Sequence, residues 1–141
     1  MRRLLSISVV VLLASYVCAG NALYDDVVYN PVDTRLLPSN HAKCLYQDSE
    51  GFIWIGTNNG LARYDGSNVV SYTGHLENYS FLYEVVEGYD GSLLLATDKG
   101  LVILDKVSGR SEVLIEGLAV SSLAKDTDGN IWAGGEDGLF F

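Results

Sequence analysis

The stretch DSEGFIWIGTNNGLARYDG, residues 48–66, sets an acidic turn, a Trp-centred apolar run, a Gly turn and a second apolar run close together. Slid along the chain, it recurs. GFIWIGTNNGLARYD (residues 51–65) aligns without gaps with GSLLLATDKGLVILD (91–105) and with GNIWAGGEDGLFF (129–141), at offsets of 40 and 38 residues. Trp54 and Trp132 hold one place in the repeat, and Leu94 holds it in the middle copy. Each copy consists of short apolar runs between turns, with no helical period. A repeat of about 40 residues with that pattern is the size of a four-stranded propeller blade.

The spacing predicts an all-β chain of about three four-stranded β-propeller blades, an incomplete propeller, with repeat units at about 36–75, 76–117 and 118–141. Strands are expected at 42–47, 52–57, 61–64 and 69–72 in unit one, and at 81–86, 92–97, 101–104 and 112–115 in unit two. Unit three has them at 120–124, 130–133 and 139–141 and lacks a fourth. The turns NNG, DKG and EDG supply the positive φ that a tight hairpin needs. A β-like run at 27–29 has no blade of its own and is a candidate to complete unit three. Three blades fall below the usual four or more, so the open faces predict either further blades or self-association.

The first 22 residues, MRRLLSISVVVLLASYVCAGNA, read as a secretory signal. Arg2 and Arg3 form its basic start, and residues 4–17 its apolar stretch, interrupted by Ser6, Ser8 and Ser15. That stretch is shorter than the roughly 20 residues that span a bilayer. A lipid anchor through Cys18 wants a small residue before it, where Val17 stands. Cleavage leaves a mature domain, residues 23–141, with no direct membrane insertion and with seven Lys and Arg against eighteen Asp and Glu, a net charge of −11. Nucleic acid and anionic membranes are bound through basic surface, so this balance excludes both as partners. Once Cys18 is removed, Cys44 stands alone and no intrachain disulfide can form.

LLPSNHAKCLYQDSEGFIWIGTNNGLARYDGSNVVSY (36–72) resembles the two-component regulator propeller repeat, through Leu37, Ser39, Asn40, Asp48, Gly51, Trp54, Gly56, Thr57, Gly60, Leu61, Tyr64, Asp65 and Gly66. Unit two departs from the pattern at Leu94 and Ala96, and unit three follows it through Gly134 and Leu139. The resemblance covers residues 24–141. It implies the periplasmic sensor region of a hybrid two-component histidine kinase, which senses glycan-derived ligands, with an oligosaccharide as the expected partner. In such proteins the kinase, receiver and DNA-binding elements follow the propellers, and no motif for any of them occurs in this sequence. The stretch is therefore expected to be non-catalytic, with no cofactor. A stand-alone secreted propeller that binds protein or carbohydrate is the alternative. A propeller lyase or glycosidase ranks third, because no acid pair or oriented base can be defended.

Individual residues offer little chemistry. DTDGN (126–130) begins like a calcium loop, with Asp126, Asp128, Asn130 and a distant Asp137, but Ile131 occupies the place that needs Gly and Trp132 falls in a strand. A hairpin turn explains the same residues. The Asp-box of sialidase-type propellers keeps its Asp two residues before the Gly, where Thr127 stands. His41 and Cys44 make two ligands where structural zinc wants four, and no third group orients them for catalysis. His75 has no visible partner, and Asn78-Tyr79-Ser80 is a sequon by pattern only. No catalytic, metal or cofactor residue is therefore assigned. Trp54 and Trp132, recurring at one position, are expected to pack between blades. Tyr79, Tyr83 and Tyr89 lie outside the strongest repeat positions and are freer to meet a ligand, with no face assigned to them, so function is sought in the residues that vary between copies.

Overall fold

The computed structural model describes residues 32–72, 76, 79 and 81–140. The expected signal segment, the run at 27–29, His75 and the sequon's Asn78 and Ser80 lie outside the described residues. A 3-10 turn at Thr34–Leu36 precedes three antiparallel meanders. The first is β1 (Ala42–Gln47), β2 (Ile53–Thr57), β3 (Gly60–Tyr64) and β4 (Val69–Ser71), paired in chain order. The second is β5 (Leu82–Glu87), β6 (Leu93–Thr97), β7 (Gly100–Leu104) and β8 (Ser111–Glu116). The third holds β9 (Val120–Lys125), β10 (Ile131–Gly135) and β11 (Gly138–Phe140). Phe52, Tyr72, Phe81, Ser92 and Asn130 fall just outside the strands expected for them, and β10 runs on through Gly135.

The first strand of each sheet adjoins the first strand of the next, β1 beside β5 and β5 beside β9. The sheets therefore stack face to face about a common inner edge. They are three blades of a β-propeller. The middle blade is covered on both faces, which explains its continuous apolar strands: LLLAT (β6) is buried at every position, while the outer strand β8 is mostly exposed.

Two seams hold the blades together. In the first, Trp54 and Leu61 of blade one meet Leu82, Val85, Leu93, Leu95, Val102 and Leu104 of blade two, with Leu76 of the connection inserted. Trp54 is 0% exposed and its ring meets Tyr72 edge-on, centroids 5.2 Å apart. The second seam joins Val86, Leu94, Ala96 and Leu101 to Val120, Leu123 and Ala133. Burying a Leu or Val side chain contributes roughly 1.5–3 kcal/mol, so each seam is held mainly by the hydrophobic effect. The other face of blade one, with Ile55, Ala62 and Val69, is partly covered by Leu37.

Thr57 and Thr97 fix the equivalent hairpins. Each buried hydroxyl donates to the carbonyl of the turn Gly (Gly60, 2.7 Å; Gly100, 2.8 Å) and accepts the amide before it (3.2 Å in both). Gly100 has φ +153°, and a Cβ there would run into the Ile115 carbonyl, so both conformation and space require glycine.

Candidate ligand-binding site and interblade links

At one end of the blades lie the acidic turns. Asp48 Oδ1 accepts the amides of Glu50 (3.0 Å) and Phe52 (2.9 Å), while Oδ2 accepts the indole N–H of Trp54 at 2.8 Å. Asp126 repeats this: Oδ1 accepts the Asn130 amide (2.8 Å) and Oδ2 the indole N–H of Trp132 (3.0 Å). The repeat's Asp and Trp are thus one unit. In blade two both are replaced together, by Gly88 and Leu94. The turn reading of DTDGN holds, because the Asp126 carboxylate is engaged by its own loop. Asp126 is held below the usual carboxylate range by its hydrogen bonds from Asn130 and Trp132.

The first seam carries a buried ionic cluster. Lys106 Nζ, from the β7–β8 turn, lies 2.6 Å from Glu87 Oε1 and 3.2 Å from Asp48 Oδ2, with Glu50 at 3.6 Å. Side chains of Lys106, Asp48 and Glu87 are only 9%, 0% and 9% exposed. Glu87 also accepts the Ser49 amide (2.8 Å) and hydroxyl (3.0 Å). Burial pushes both carboxyls up, but the hydrogen bonds of Asp48 from Trp54 and Lys106, and of Glu87 from Lys106 and Ser49, outweigh it and lower both. Burial pulls Lys106 down, and its bonds to Glu87 and Asp48 more than reverse that, so it is raised. The second seam uses other links: Glu84 accepts the Leu123 amide (2.6 Å), Lys125 reaches the Glu87 carbonyl (3.2 Å), and the Tyr89 hydroxyl donates to the Asp128 carbonyl. Beside these turns an open cleft of about 450 Å³ is lined by Asp90, Ser92, Asp105, Arg110 and Glu112 among others.

The opposite end is shaped by a bulge in every inner strand. The register slips between Ala42 and Cys44, between Leu82 and Glu84, and at Ser121, whose neighbours Val120 and Ser122 pair with Gly135 and Gly134. Lys43, Tyr83 and Ser121 therefore occupy one structural position in three adjacent blades, and all are exposed. Bulges re-aim the extra side chain out of the ladder. Phe81 and Tyr83 stack with ring centroids 6.4 Å apart and planes 17° from parallel, at 39% and 38% exposure. The β6–β7 turn pins the base of this pair: Asp98 accepts the Phe81 amide through Oδ1 and donates its own amide to the Phe81 carbonyl, both at 3.3 Å.

The remaining expected residues separate. His41 is exposed ahead of β1, its amide donating to Ser39 Oγ (3.2 Å). Cys44 lies half-buried against the first seam over Gly56, where burial pushes its thiol up to about 11. Tyr79 is not free for a ligand as expected, because it packs against the first seam. Tyr83 and Tyr89 are exposed. Trp132 is not sealed between blades as expected: it is 37% exposed, since among the described residues no sheet covers its face. Sequence reasoning missed Lys106 and two of the three bulge residues, Lys43 and Ser121, and named Tyr83 without its bulge. The bulge positions carry Lys, Tyr and Ser, so no shared residue type marks them.

The profile described as "Two component regulator propeller" matches residues 36–59 and 115–137. No curated protein matches the chain. The fold is similar to the extracellular domain of BT3049 from B. thetaiotaomicron, described as a hybrid two component system, with 27% identity and a TM-score of 0.61. That likeness covers 82% of this chain and 16% of the other, so the chain spans about one sixth of its relative's length. The extracellular domain of BT4673 from B. thetaiotaomicron is similar in fold at 24% identity, TM-score 0.66, over 78% of this chain and 16% of that one. Among the described residues no helix is long and apolar enough to cross a membrane.

Proposed function

We propose, because residues 36–59 and 115–137 match the two-component regulator propeller profile, that this chain is a stretch of the ligand-sensing propeller of a hybrid two-component system histidine kinase. It acts in the periplasm, reached through the segment at 1–22, and binds glycan-derived ligands. The propeller binds rather than catalyses, and the kinase belongs to other parts of the receptor. Ligand contacts that differ between two arrangements of the sensor would shift their populations, which is the only way binding can be transmitted. The observation that carries this reading is the likeness to the extracellular domain of BT3049, which extends over 82% of the chain.

The experiment is an in-frame deletion of codons 33–141 in the source bacterium, followed by transcript profiling on a panel of purified polysaccharides. The reading predicts that one glycan-use gene cluster loses induction on one polysaccharide. Unchanged induction on every polysaccharide would refute it. A fusion of residues 1–32 to alkaline phosphatase tests export separately, with activity expected only if the segment crosses the membrane.

A further inference from the structure

We propose that Phe81 and Tyr83 form a stacking platform for a pyranose ring of an oligosaccharide, flanked by Lys43 and Ser121 from the neighbouring blades. This rests on the glycan-sensing reading above and assigns it a subsite. Two large aromatic rings exposed together lose the hydrophobic stabilisation they would gain in a seam, yet here they stack on one another at the surface. Tyr83 sits on the inner strand β5 and Phe81 immediately ahead of it, where the Asp98 hydrogen bonds hold the Phe81 backbone. The bulge between Leu82 and Glu84 turns Tyr83 out of the ladder, while Leu82 beside it is fully buried in the first seam.

The chemistry of the surroundings selects the ligand class. A flat apolar face suits the C–H face of a sugar ring, whose equatorial hydroxyls then point sideways and need partners. The same bulge places Lys43 on one side and Ser121 on the other, because β1 and β9 are the neighbours of β5. Lys43 is exposed and forms no ion pair among the described residues. The ammonium offers donors, and the Ser121 hydroxyl both donates and accepts. A peptide strand is the poorer occupant: the bulges break the regular ladder edge on all three inner strands that strand addition would need.

The test uses the receptor's whole extracellular region on an array of defined oligosaccharides released from plant, host and microbial polysaccharides. Wild-type protein is compared with Phe81→Ala/Tyr83→Ala, and with Tyr89→Ala as an exposed aromatic control outside the platform. Circular dichroism and the melting temperature establish that each variant is folded. Should the double variant fail to fold, Tyr83→Ser alone replaces it. The expected result is that the platform variant loses about tenfold or more in affinity for the sugar that wild type binds, while Tyr89→Ala stays within about twofold. Binding unaffected in the folded platform variant overturns the platform and leaves the glycan reading standing. An array on which wild type binds no sugar overturns both.

Discussion

Replacing Lys106 by Met tests the ionic cluster at the first seam through the sign of its pH response. Lys106 is the cation between Asp48 and Glu87, whose side chains are 0% and 9% exposed. Met keeps most of the stem's volume and removes the charge. Two buried carboxylates would then lie together with no cation between them, and breaking a buried pair in this way costs about 3–5 kcal/mol. An exposed ion pair would cost only about 0.2–1 kcal/mol. In the wild type both carboxyls are held below their ordinary values. Their contribution is therefore present above the unfolded values of about 4 and is lost as pH falls through the lowered folded values. Without Lys106, burial and mutual repulsion raise them instead, so the variant's deficit is largest at neutral pH and shrinks as protons are taken up. Urea unfolding followed by Trp fluorescence at about pH 7 and pH 5 measures this. K106M is expected to be more stable at the lower pH, and the wild type no more stable there. A loss under about 1 kcal/mol at neutral pH, or an acid response with the sign of the wild type, would refute the reasoning.

Other outcomes follow from single contacts. Gly56→Ala drives a Cβ into Cys44 Sγ and to 3.3 Å from Leu82 Cβ, and should cost about 1–3 kcal/mol by thermal unfolding; adding Cys44→Ala should return part of it. Trp54→Phe leaves the buried Asp48 carboxylate one donor short and should cost about 1–3 kcal/mol, whereas Trp132→Phe, at a 37% exposed site, should cost under about 1 kcal/mol. The Cys44 thiol, pushed up to about 11, should react slowly with a disulfide reagent in mildly alkaline buffer and rapidly after unfolding.

The strands and hairpins were legible because turn chemistry and apolar alternation are local, and because three aligned copies placed their limits to within two residues. Asp48 and Gly51 could be placed in a turn, but not the indole bond that makes Asp48 and Trp54 one device; the joint loss at Gly88 and Leu94 was the signal for it. Lys106 joins Asp48, 58 positions away in the preceding blade, a proximity that only stacked blades create, and Glu87, 19 positions away in its own blade. The face of the tyrosines depended on the bulges: one extra residue in β5 sends Tyr83 outward, whereas Tyr79 enters the first seam from the preceding connection. Trp132 shows the same dependence on neighbours, since its repeat position is buried only where a following blade covers it.

Acrylamide quenching of the two single-Trp proteins tests the stacked-blade account most directly. Trp132→Phe leaves Trp54, sealed in the first seam at 0% exposure, and Trp54→Phe leaves Trp132 at 37%. In the 141-residue chain the account predicts blue-shifted, quencher-resistant emission from Trp54 and red-shifted, readily quenched emission from Trp132. Equal quenching of the two, or a Trp54 open to acrylamide under native conditions, would contradict it.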